Sequence, residues 1–105
     1  MNIHRLIILA ASMAVAGNAQ AENGEVLAKK YNCMMCHAVA IQSAGPAFKD
    51  IAAKNSENKD AQAKLEIKVR RGSVGVWGKK PMPPTAQSVS DEDIRVIVQW
   101  MLSLK

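Results

Sequence analysis

Apolar and polar positions along this chain follow helical rather than strand spacing, and glycine- and proline-rich loops separate the periodic stretches. After an apolar opening run, residues 23–31 predict a helix with Val26, Leu27 and Tyr31 inward and Lys29 and Lys30 outward. Asn23 is a candidate N-cap, and Glu22 and Glu25 lie near the positive end of the helix dipole. Residues 38–45 read as a loop, Gly45-Pro46 punctuates it, and a short helix is expected from Pro46 through Phe48 to about Lys54. Polar residues 55–59 form a connection. Residues 60–71 predict a third helix, with Ala61, Leu65 and Val69 on one stripe, Ile67 beside it and Gly72 ending it. Two loops follow: 73–78 carries Trp77, and proline-rich 79–85 carries Met82. Ser90-Asp91-Glu92-Asp93 has the form of a capping box with an acidic first turn. The helix it opens carries Ile94, Ile97, Val98 and Met101 on its apolar stripe and Trp100 on a flank. The expectation is a single all-α domain of about four short helices.

The first 21 residues stand apart from that domain. They comprise a short n-region with Arg5, an apolar run over 6–16, a Gly17-Asn18 break and an Ala19-Gln20-Ala21 cleavage site, which together read as a secretory signal. The run falls short of the roughly 20 residues a membrane span needs, so an uncleaved anchor is the weaker alternative and no stable membrane insertion is expected after cleavage. The folded domain is then residues 22–105. A chain that short buries a modest core and needs a staple. The formal net charge is +5. That suits encounters with acidic partners. Nucleic acid is a poor candidate, because the lysines are spread along the sequence with no aromatic interleaving.

The staple is indicated by Cys33-Met34-Met35-Cys36-His37, which reads C-x-x-C-H, the attachment signature of a c-type haem. In that chemistry two thiols add across the two haem vinyls, and the histidine directly after the second cysteine ligates the iron. A thioredoxin-like pair would need a strand–helix alternation that this chain lacks. Zinc wants four ligands, and past residue 21 the sequence offers only Cys33, Cys36 and His37 from the cysteine and histidine set. A plain disulfide across two residues is the remaining alternative. Both cysteines belong to the motif, so no structural disulfide is expected, and the haem itself supplies an apolar disc for short helices to pack on.

The opposite face of the iron requires a second ligand or an open site. His37 is the only histidine beyond residue 21, which excludes bis-histidine ligation within the chain. Met34 and Met35 lie beside the proximal ligand, and Met101 sits on a helical core stripe, where methionine is more often filler. Met82 stands in Lys79-Lys80-Pro81-Met82-Pro83-Pro84, where prolines enforce an extended, stiff loop suited to holding one side chain. An incidental methionine in a surface loop is the plainer alternative. Thioether ligation raises the potential relative to a second imidazole and occupies the sixth position, which favours outer-sphere electron transfer.

With these motifs in order, the chain resembles the short class I bacterial cytochromes c. The matching stretches are Cys33-x-x-Cys36-His37, Gly45-Pro46-Ala47-Phe48-Lys49-Asp50, Gly72-Ser73-x-Gly75-Val76-Trp77-Gly78, Pro81-Met82-Pro83-Pro84 and the closing helix with Trp100. The resemblance spans residues 22–105. It implies the class I fold around one covalent haem c, with iron between His37 and Met82. It also implies that the Pro46 carbonyl accepts from His37 Nδ1–H, that Trp77 donates to a haem propionate, and that Lys68, or alternatively Arg70, lies near a propionate. Three departures stand out. Thr85 occupies a place where relatives often carry an asparagine donor to the methionine sulfur. Lys79-Lys80 replaces residues that can be apolar, and the 87–90 stretch looks longer.

The function implied is a soluble, monomeric, periplasmic one-electron carrier rather than an enzyme. It would shuttle between respiratory redox proteins with acidic docking faces, such as a quinol-oxidising complex and nitrite reductase or a terminal oxidase. Lys29, Lys30, Lys49, Lys68, Lys79 and Lys80 are candidates for the rim of an exposed haem edge. A haem enzyme or ligand sensor with an open sixth site, and a tightly docked subunit of a larger oxidoreductase, are the rival readings.

Overall fold

Helix α4, Asp91–Leu102, is the element against which the others pack. The structure is a computed structural model that describes residues 16–105, with side chains from residue 23. The n-region and most of the apolar run of the expected signal lie outside the described residues. In chain order come α1, Ala16–Lys30, a single 3₁₀ turn at Cys33–Met35, α2, Phe48–Lys54, α3, Ala61–Arg71, and α4. Among the described residues there is no β-strand, only an isolated antiparallel bridge between Ser73 and Met82. The all-α expectation is met.

α4 forms where the capping chemistry places it. Ser90 Oγ accepts from the Asp93 N–H at 3.1 Å, and Asp91, Glu92 and Asp93 fill the first turn. The Asp93 carboxylate accepts from the Tyr31 hydroxyl at 2.5 Å, tying the end of α1 to the start of α4. Ile94, Ile97, Val98, Trp100 and Met101 of α4 join Ala28, Phe48, Ile51 and Val89 in one buried cluster. Burying side chains of this size contributes about 1.5–3 kcal/mol each, so α4 supplies much of what holds the chain together. α1 crosses α4 at Gly24, where a Cβ would lie 2.1 Å from Trp100 Cβ. Only glycine fits that crossing.

Several expectations give way. α1, Ala16–Lys30 among the described residues, contains Asn23 rather than being capped by it. Its register also differs: Val26 is exposed, and Gly24 and Ala28 face the core. Small residues mark a close helix crossing, which a search for large apolar residues overlooks. α2 starts at Phe48 with Ala47 at its N-cap, two residues after Pro46. On α3, Ala61 is buried and Leu65 and Val69 pack against the core, but Ile67 is 53% exposed. Trp100 is buried rather than on a flank, edge-on to Phe48 at 5.4 Å.

Candidate haem site

The Cys33–His37 stretch folds as one tight turn. The 3₁₀ turn brings the N–H groups of Cys36 and His37 onto the Cys33 carbonyl at 3.3 and 3.0 Å. Cys33 is half-buried and Cys36 is exposed. Burial pushes the Cys33 thiol above its ordinary range. Asn32, with φ 65°, makes the left-handed turn between α1 and the motif, a conformation asparagine tolerates.

Past the motif the chain closes on the histidine. Gly45 N–H donates to the Cys36 carbonyl at 2.6 Å, and Ser43 Oγ donates to the same oxygen at 2.7 Å. A Cβ on Gly45 would stand 2.8 Å from His37 Cε1, so the backbone lies directly against the imidazole. His37 Nδ1 is 2.7 Å from the Pro46 carbonyl oxygen. A carbonyl only accepts, so Nδ1 carries the proton and the lone pair is left on Nε2. The ring stacks on Phe48, centroids 4.9 Å apart and planes at 20°. Phe48 in turn meets Trp100, which links the histidine to α4 through two aromatic contacts. The carbonyls of Ala38 and Val39 accept from the first N–H groups of α2 at 2.9 and 3.0 Å, fixing the loop to that helix.

Met82 is half-buried and held through its backbone. Its N–H donates to the Ser73 carbonyl at 2.7 Å, and its carbonyl accepts from the Ser73 N–H at 3.0 Å. Gly72 permits this approach. Its φ is +85°, and a Cβ there would sit 2.6 Å from the Met82 carbonyl oxygen and 3.0 Å from Pro84 N. Three residues on, Thr85 N–H donates to the carbonyls of Val69 and Arg70 at 3.2 and 3.3 Å, and its hydroxyl donates to Val69 at 2.6 Å. A threonine has one hydroxyl proton. With that proton on Val69, Thr85 is not a donor to the Met82 sulfur.

The propionate candidates divide. Trp77 is 46% exposed, with Lys54 Nζ 5.3 Å above its ring centroid. Lys68 is half-buried on α3. The Arg70 guanidinium donates to the carbonyls of Ala86 and Val89 and to the Asp91 carboxylate, so it faces the 86–91 segment. Of the rim lysines, Lys29, Lys30, Lys49, Lys79 and Lys80 are exposed and Lys68 is not. Sequence reasoning missed the backing roles of Gly45, Gly72, Ser73 and Phe48. Gly72 was legible only as a helix stop, although a glycine preceding a proline-flanked methionine loop is a signal in itself.

These residues fit a haem. Two thiols at C-x-x-C spacing, followed directly by an imidazole with its Nε2 lone pair available, are what covalent haem c attachment requires of the chain, and Met82 is the candidate thioether. Met35, Ile41, Val74, Val76 and Trp77, on segments within and after Cys33–His37 and before Met82, are among the large apolar side chains left exposed. Four helices and no strand among the described residues, with this attachment motif, define a class I cytochrome c. The chain belongs to the cytochrome c family, whose model matches residues 21–105. It is 49% identical to cytochrome c-552 of Nitrosomonas europaea over 91% of this chain and 90% of that protein. With cytochrome c-551 of Pseudomonas aeruginosa it shares 44% identity over 95% and 94% of the two chains. The crystal structure of wild-type Nitrosomonas europaea cytochrome c552 superposes with a TM-score of 0.74, covering 77% of this chain and 99% of that one. Membership brings electron transport as the role and one covalent haem c, with its iron, as the cofactor.

Proposed function

We propose that the chain is a soluble periplasmic one-electron carrier whose haem iron lies between His37 Nε2 and Met82 Sδ. The observation that carries this reading is the 2.7 Å contact from His37 Nδ1 to the Pro46 carbonyl, which commits the imidazole to presenting Nε2. The doubly anchored Met82 loop supports the second ligand. Cys33 and Cys36 are the thioether anchors. When bound, the haem supplies a ferric/ferrous couple that changes state by one electron without bond making.

The protein's own residues set the terms of that exchange. Pro46 fixes the tautomer and raises the basicity of His37. Trp77 and Lys68 serve the propionates, lowering the cost of enclosing their charge. Met82 fills the sixth position, so substrate-sized ligands compete poorly and the protein is a carrier, not an enzyme. Lys79 and Lys80, exposed next to Met82, join Lys29, Lys30 and Lys49 in a basic rim. Such a rim steers acidic faces of larger redox proteins, such as a quinol-oxidising complex and nitrite reductase or a terminal oxidase, into brief contact. The carrier acts as a monomer of residues 22–105 after cleavage following Ala21.

Redox titration of the holoprotein and of Met82→Ala tests this. Axial-ligand identity spans about 0.8 V across haem proteins, so the substitution should lower the potential by on the order of 100 mV. It should also let carbon monoxide bind the reduced protein stoichiometrically. An unchanged potential, or rapid carbon monoxide binding by the unsubstituted protein at neutral pH, would reject Met82.

A further inference from the structure

The chain leaving Met82 reaches α4 through residues 83–90, and this passage is fastened by one side chain from α3. Arg70 Nη1 donates to the Ala86 carbonyl at 3.0 Å and Nη2 to the Val89 carbonyl at 2.6 Å. Nη2 and Nε also reach Asp91 Oδ1 at 2.8 and 3.3 Å. The Val89 N–H closes a turn onto the Ala86 carbonyl at 3.0 Å, and the Val89 side chain is buried in the core. Arg70 thus meets both carbonyls of one turn and the first residue of α4. Its side chain is 19% exposed, whereas that of Asp91 is 94% exposed. The exposed ion pair adds little. The strong part of the arrangement is the pair of charge-assisted bonds to backbone oxygens, which need the planar fork of a guanidinium.

We infer that Arg70 is a positioning residue for the sixth ligand, clamping the 86–91 segment to α3 so that Met82 is held from its C-terminal side. The inference rests on the reading of Met82 as an axial ligand. Ser73 fixes the backbone of Met82 itself, and Thr85 joins the loop to the last carbonyls of α3. Arg70 extends that seam to α4, so the loop cannot swing away without breaking bonds at both ends. An external ligand reaches the iron only from the state in which the sulfur has swung away, and its apparent affinity scales with the population of that state.

Imidazole titration of the ferric holoprotein tests the clamp, followed by loss of the near-infrared sulfur-to-iron band, with denaturant unfolding measured alongside. Removing bonds to a charged donor shifts such an equilibrium by about tenfold or more, so Arg70→Met should bind imidazole at least about tenfold more tightly than wild type. Arg70→Lys keeps the stem and the charge but lacks the fork. It should behave like Arg70→Met, and it carries the same prediction if Arg70→Met fails to fold. Asp91→Asn should stay within about twofold of wild type, because the ion pair is exposed. Tyr31→Phe, which loosens α1 from the first turn of α4 without removing a bond to residues 83–91, controls for general destabilisation and should leave imidazole affinity unchanged. Wild-type affinity in both Arg70 variants would overturn the role, as would an equal rise in Tyr31→Phe. A wild-type ferric protein without the band would overturn the Met82 reading and this inference with it; a normal band with unaltered variants overturns the inference alone.

Discussion

The His37 side and the Met82 side of the site are fixed in different ways. On the His37 side the chain from Cys33 to Phe48 wraps on itself: Cys36, Gly45, Pro46 and Phe48 all touch the ligand or its neighbours, and the aromatic stack runs to Trp100. On the Met82 side the loop contributes stiffness, but its location is dictated by the C-terminal end of α3, through Gly72, Ser73, Val69 and Arg70. With the iron held as proposed, the self-wrapped loop, next to two covalent anchors, is expected to keep His37 in place under strain. The loop seated on the end of a helix is expected to release Met82 when that seat is disturbed. The two faces can therefore be broken separately.

The largest effect is expected at Gly72. Valine there meets a left-handed φ and a carbonyl 2.6 Å from its Cβ. Strain and overpacking together should cost about 3 kcal/mol or more. Gly72→Val should lose the ferric sulfur band while the haem stays attached, as read by absorbance and denaturant unfolding. Gly45→Ala presses on the imidazole from 2.8 Å and should cost about 1–3 kcal/mol. It should nevertheless keep the sulfur band, because α3 and the Met82 loop are untouched. If Gly45→Ala also lost the band, the faces would not be independent.

Thr85→Val removes the hydroxyl bond to Val69 and leaves the backbone bond in place, so a loss of about 1 kcal/mol is expected in chemical unfolding. Because Thr85 does not serve the sulfur, the potential should hardly move; a large drop would assign the hydroxyl to Met82 after all. The smallest effect belongs to a contact that involves neither His37 nor Met82. Donation to Asp93 raises the Tyr31 hydroxyl above its usual value near 10. A raised folded-state value means that this contribution is fully present below about pH 10 and is lost as pH climbs through the folded value. Tyr31→Phe should flatten the decline in stability above about pH 10, as followed by unfolding midpoints against pH, with no change at the haem.

Much of this was legible in the residues, for physical reasons. Covalent attachment requires adjacency, so Cys33, Cys36 and His37 appear as a motif. The flanking prolines singled out Met82 as the candidate over Met101, which the fold buries in the core as its stripe position implied. The apolar stripe of α4 followed its period. What escaped was long-range or small. The crossing at Gly24 and the burial of Ala28 depend on the partner helix, so Val26 was assigned inward in their place. Val89, in a loop, is core because Arg70 and the turn at Ala86 fold it under. Arg70 was visible as a cation on α3, and only the fold reveals that it serves backbone oxygens across the loop.

Sulfur ligation by Met82 is tested most directly by the ferric near-infrared spectrum at neutral pH. It predicts a weak sulfur-to-iron band in the holoprotein that disappears in Met82→Ala and persists when Met101 is replaced by leucine. A ferric protein without the band, or a band that survives Met82→Ala, would contradict it.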